Sequence, residues 1–107
     1  MDEREFNDLS EQIFVRIERG LEANDEALDC ERLAGGNLEI TCPDDSVVIV
    51  SRHVVNREIW VAARAGGFHF RLQDGVWLDT RDGAELLQKL SGLLTQQAGE
   101  TVHLSWE

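Results

Sequence analysis

Apolar residues recur at three- and four-residue spacing near the start of the chain: Phe6, Leu9, Ile13, Ile17 and Leu21. That spacing predicts an amphipathic helix over residues 3–23, with this stripe buried. Gly20 weakens its last turns, and Asn24-Asp25 marks an exit. The pattern then changes to short alternating or apolar runs. ALDCER is followed by Gly35-Gly36-Asn37, NLEITC by Pro43-Asp44-Asp45, and SVVIVS by a polar loop near Val55-Asn56. REIWVAAR leads through Gly66-Gly67 to FHFRL, and Asp74-Gly75 links that run to VWLD. β-Branched and aromatic content with suitable turn residues predicts a six-strand antiparallel meander. A second helix is predicted from Asp82, with Asp82 and Glu85 as a capping box. Leu86, Leu87, Leu90, Leu93 and Leu94 form its apolar stripe, and Gly99 ends it. Both helices must cover one face of the sheet, giving an α+β two-layer sandwich.

The alternation also assigns the faces. If Ile59, Val61 and Ala63 point inward, Trp60 points out; if Phe68, Phe70 and Leu72 point inward, His69 and Arg71 point out. An outward Trp60 is a candidate recognition residue. Leu28 and Cys30 face the core, and Asp29 and Glu31 face outward. A first hairpin centred on Gly36 would place Cys30 opposite Cys42. Cα atoms of such a pair lie roughly 4.5–5.5 Å apart, within disulfide range. In a reducing cytosol two buried thiols are expected instead.

The 107 residues contain no linker-like stretch, repeat or low-complexity tract, so a single domain over 1–107 is expected. The formal charge is −11. Nucleic acid and anionic membranes are poor partners for such a chain, whereas cations and basic protein surfaces suit it. The charge is concentrated. Met1 to Glu31 carries eleven acids against Arg4, Arg16 and Arg19, and so holds −8 of the total. The acidic N-terminus has no apolar run of a signal peptide, and no stretch approaches a membrane span, so a cytoplasmic location is expected.

Glu11, Glu18 and Glu22 fall on one helical face, away from the apolar stripe. Glu18 and Glu22 are four residues apart, a like-charge spacing that costs about 0.2–0.5 kcal/mol. Acids in the last turn also oppose the helix dipole. Asp25 and Glu26 would join this face to Asp29 and Glu31. Three readings fit such a segment: a solubilising face, a site for hard cations, or a docking surface for a basic partner. There is no EF-hand loop, and open carboxylates imply weak sites, on the order of 10⁻⁵ to 10⁻³ M. His53, His69 and His103 lack metal-ligand spacing, and Cys30 and Cys42 form no zinc pattern. No P-loop, nucleophile elbow or GxGxxG is present, so an enzyme is not expected.

In order along the chain, EFNDLSEQI in the acidic helix, LDCE, EIWVA around Trp60, GGFHF, DGVW and QQAGET resemble the bacterial frataxins of the CyaY type. The resemblance covers nearly the whole chain. It implies a small cytosolic protein, monomeric without metal, that binds Fe²⁺ or Fe³⁺ weakly; other divalent or trivalent cations can substitute. It further implies action in iron–sulfur cluster assembly, by docking on the cysteine desulfurase and its scaffold protein as an iron-responsive regulator or iron donor. The matching metal carboxylates are Glu18, Glu22, Asp25, Glu26, Asp29 and Glu31. The matching docking residues are Glu11, Glu18, Glu22, Asp29, Trp60 and Arg52. The runner-up is an acidic docking module whose cation binding is incidental. Arg19 and Ala23 stand where the family often has acids, and Ser51, His53, Val55 and Glu58 depart from its usual sheet run.

Overall fold

The computed structural model describes residues 1–24 and 28–105. Helix α1 spans Glu3–Asn24. Asp2 caps it by accepting a 2.8 Å hydrogen bond from the Glu5 backbone N–H, and Glu3 and Glu5 suit the positive end of the helix dipole. Its buried residues are Phe6, Ser10, Ile13, Phe14, Ile17 and Leu21, close to the predicted stripe, with Leu9 only partly covered. Gly20 has a specific reason to be there: a Cβ would lie 2.5 Å from Cδ2 of Leu104. The chain after α2 packs against the helix at that point.

Six strands follow in sequence order: β1 Asp29–Arg32, β2 Leu38–Thr41, β3 Val47–His53, β4 Glu58–Ala63, β5 Gly66–Gln73 and β6 Val76–Asp79. They pair as one antiparallel meander, β1 through β6, as the alternation predicts. Leu38, Ile40, Val48, Val50, Ile59, Val61, Phe70 and Trp77 line the inner face and form one core with the two helices. Asp74 and Gly75 both take positive φ, 51° and 81°, in the expected β5–β6 turn.

Three details differ from the sequence-based expectation. The first hairpin turns one residue earlier, so Cys30 lies opposite Ile40 rather than Cys42. Both thiols are free, with Cys42 buried and Cys30 half-buried. Gly66 and Gly67 belong to β5, and Arg64-Ala65 makes the turn before it. Helix α2 spans Leu86–Ala98, capped by Glu85 rather than Asp82. The Glu85 carboxylate accepts from the N–H groups of Leu87 and Gln88 at 2.7 and 3.0 Å. The residues just before it close back on β6, through the Leu78–Glu85 bridge and the Ala84 carbonyl accepting from the Asp79 N–H. Gly83, at φ 75°, reverses the chain there, so the helix starts later. Gly99 ends it in the left-handed conformation.

The segment after α2 runs back along that helix. Ser91 Oγ accepts from the Leu104 N–H, and Thr95 Oγ1 accepts from the Val102 N–H while donating to the Val102 carbonyl. Val102 and Leu104 are buried, and Arg16 Nε donates to the Ser105 carbonyl. The Gln97 side chain of the QQAGET stretch accepts from Arg64 N and donates to Ser46 Oγ and the Val47 carbonyl. It ties α2 to two turns of the sheet.

Candidate functional site

Strand alternation sends Arg32 and Arg52 toward α1 and sends Asp29 and Glu31 to the opposite face. The acidic segment is therefore split in two. On the helix side, Glu11 and Glu18 converge on the Arg32 guanidinium. Nη1 and Nη2 of Arg32 donate to the two Glu11 oxygens at 3.0 and 2.8 Å. Nε and Nη2 donate to the two Glu18 oxygens, each at 3.1 Å. Arg52 adds a 2.6 Å bond from Nη2 to Glu11 and a 2.7 Å bond from Nε to the buried Ser10 hydroxyl. Both guanidiniums lie over the Phe14 ring, at 5.4 and 4.6 Å from its centroid. The hydrogen bonds from Arg32 hold the Glu11 carboxyl below its ordinary pKa.

The remaining acids are differently placed. Glu22, Asp29 and Glu31 are exposed and pair with no basic side chain among the described residues. Glu31 also stands directly opposite Glu39 on β2, a like-charge cross-strand pair that opposes folding. Glu39 belongs to this edge but escapes the sequence reading: a hairpin centred on Gly36 would have put Thr41 opposite Glu31. Asp25 and Glu26 lie outside the described residues. Arg19 is exposed and engages no acid among the described residues, so the counter-ion to Glu18 is Arg32 instead.

No three His, Cys, Asp or Glu side chains gather at metal-binding distance among the described residues. The exposed carboxylates suit a loosely held, hydrated hard cation more than a closed coordination cage. Cys30, beside this edge, is a half-buried free thiol whose thiolate form is disfavoured. Burial, then the negative charge of Glu18, pushes its pKa up to about 11.

A second feature lies on the outer sheet face. Trp60 points outward as expected, but its two faces are covered. His53 stacks on one at 4.0 Å and 8°, and His69 on the other at 4.2 Å and 9°. The indole Nε1–H donates to Glu58 at 2.9 Å, and Arg71 Nη2 donates to the other Glu58 oxygen at 2.6 Å. Glu58 is only 4% exposed. Burial raises its pKa, but the hydrogen bonds from Trp60 and Arg71 outweigh burial and leave it lowered. Trp60 thus presents an edge rather than a face. Arg52 lies on the other side of the sheet, its side chain 17% exposed beneath α1.

Comparison with known proteins agrees with this geometry. The model of the frataxin-like domain matches residues 1–100. An iron-sulfur cluster assembly protein CyaY of Dechloromonas aromatica is 58% identical over 104 residues, covering 97% of this chain and 99% of that protein. One from Neisseria meningitidis serogroup B is 42% identical, covering 98% and 97% of the two chains. The solved frataxin of Psychromonas ingrahamii superposes with a TM-score of 0.90 at 28% identity, over 98% of this chain and 99% of the other. A helix, a six-stranded meander and a second helix, joined to this extent of identity along nearly the whole length, make the chain a member of the frataxin-like family, in its bacterial CyaY branch.

Proposed function

We propose that this protein acts in iron–sulfur cluster assembly in the cytoplasm, as a non-enzymatic monomer that docks on the cysteine desulfurase and its scaffold protein and responds to iron. Fe²⁺ or Fe³⁺ is held weakly at the acidic edge as cargo or signal. The observation that carries this reading is the set of carboxylates left without a basic partner among the described residues: Glu22, Asp29 and Glu31. Glu31 faces Glu39 across the first hairpin and Glu22 stands in the last turn of α1, each at a cost to folding. Asp25 and Glu26 extend the set on sequence grounds. A cation landing there offsets this cost, and a basic protein surface is steered to the same place. Glu11 and Glu18 contribute to the field but are already bridged by Arg32. The edge of Trp60, fixed by Glu58, offers a second contact on the sheet face.

The E22Q/D29N/E31Q variant is expected to bind the desulfurase about tenfold more weakly, mainly through slower association. Added Fe²⁺ at fixed ionic strength should change the affinity of the parent and leave the variant unaffected. Equal responses to Fe²⁺ and to Mg²⁺ would favour the second reading, an acidic docking module with incidental cation binding. The absence of a gathered ligand set among the described residues supports that alternative.

A further inference from the structure

Three rings stand in a row on the outer face of the sheet, one from each of β3, β4 and β5. The two plates around Trp60 are not equivalent. His53 Nδ1 is buried and meets no hydrogen-bond partner among the described residues, so a proton placed there finds no acceptor. The His69 side chain is 45% exposed, and its Nδ1 stands 4.0 Å from Oε1 of Glu58. That same oxygen accepts the Trp60 indole N–H at 2.9 Å, while Arg71 holds the other oxygen at 2.6 Å. A carboxylate oxygen has two lone pairs, so Oε1 can take a second donor.

The charged and titratable groups facing the stack come from three strands. β3 brings His53, β4 brings Glu58, and β5 brings Arg71 beside His69 itself. Arg57, which precedes Glu58, turns to the Val54 carbonyl. From β6 come Leu78, opposite Arg71, and beyond it the Thr80 N–H on the His69 carbonyl, neither of which titrates. Glu58 and Arg71 cancel, so the charge of this face is set by imidazole. Imidazole is the side chain that ordinarily changes charge between about pH 8 and pH 5.

We propose that a proton on His69 latches Trp60: the imidazolium closes on Glu58 and lies as a cation on the indole face, holding the ring edge-on, with His53 as the fixed plate behind it. This rests on the reading of Trp60 as a docking contact and adds its regulation. An indole face attracts cations, and the carboxylate beside it supplies a charge-assisted hydrogen bond. A basic partner that brings a lysine or arginine to that face displaces a neutral ring on the alkaline side. On the acid side it meets a cation already seated there. Docking therefore weakens as pH falls.

The Trp60 indole N–H reports the latch in the free protein. Its protection from solvent exchange, taken against a free indole at the same pH, is followed by ¹⁵N NMR from about pH 8 to about pH 5.5. The parent should gain about fivefold in protection on acidification, the worth of one charge-assisted hydrogen bond. H53Q should keep the gain. H69Q and E58Q should stay flat within about twofold, since each lacks one half of the latch. A histidine that merely titrates nearby would shift the indole resonance without slowing its exchange.

A flat parent would overturn the latch. So would a gain that survives in H69Q or E58Q, or one that H53Q abolishes as fully as H69Q does. His69 is exposed, so H69Q decides the matter even if E58Q does not fold. Desulfurase affinity at the same two pH values tests the regulation: acidification should weaken the parent about threefold more than H69Q. Equal weakening of the two would overturn the regulatory role. If W60A binds the desulfurase as tightly as the parent, the docking reading of Trp60 falls, and the exchange measurements still decide the latch.

Discussion

Glu58 points away from the core yet is only 4% exposed, because Trp60 and Arg71 close over it. Glu11 is held in the same manner by Arg32 and Arg52. Both carboxyls have folded pKa values below those of the unfolded chain, which lie near about 4.3. Their contribution to stability is complete above that unfolded value and is lost as pH falls through the lowered folded values. Urea unfolding at about pH 6 and about pH 3 measures it. The E11Q/E58Q variant should lose less stability across that interval than the parent; an equal loss would contradict the assignment. The thiols give a second residue-scale prediction. Alkylation of the native protein at neutral pH should be slow at Cys30, whose thiolate is disfavoured by burial and Glu18, and E18Q should speed it. Denatured protein should yield both free thiols, since the observed register pairs Cys30 with Ile40.

At the scale of elements, the junctions decide the outcome. E85A should cost about 1 kcal/mol, the loss of an N-cap, whereas D82A should cost less because Asp82 does not cap the helix. A larger effect from D82A would put the helix start back at Asp82. Gly20→Ala gains up to about 1 kcal/mol in helix propensity but drives a methyl group into Leu104, and overpacking of this kind costs about 1–3 kcal/mol. A net loss is expected in urea unfolding, and G20A proving more stable than the parent would show that the tail does not press on α1. These same junctions limited what could be read from sequence. The period of α1, the β-branched runs and the Asp74-Gly75 turn are local signals, and they placed the elements correctly. The register of the first hairpin depends on which of two adjacent glycines sits at its centre, and a shift of one residue hid the Glu31–Glu39 pair. The start of α2 depends on a bridge to β6 that no helix signal contains. The packing of Val102 and Leu104 beside α2 leaves no periodic trace in so short a segment.

For the whole molecule, the excess of acid was legible but its division was not. Glu11 and Glu18 stand 21 and 14 positions from Arg32, and only the folded sheet edge brings them together. Arg19, the basic residue that sequence places next to Glu18, is not the one that meets it. Trp60 was correctly turned outward, yet its covering by His53 and His69 needs the register of three strands. The resulting charge distribution is a braced acidic seam on the helix side and an open acidic edge beside it. A net charge of −11 makes any encounter with a basic partner strongly dependent on salt.

The open edge is the central claim, and an anaerobic Fe²⁺ titration of the ¹⁵N-labelled protein tests it most directly. Amides at Glu22, Asp29 and Glu31 should broaden first, and the broadening should disappear in E22Q/D29N/E31Q. Broadening that survives in that variant, or that begins at the His53–Trp60–His69 stack instead, would contradict the account.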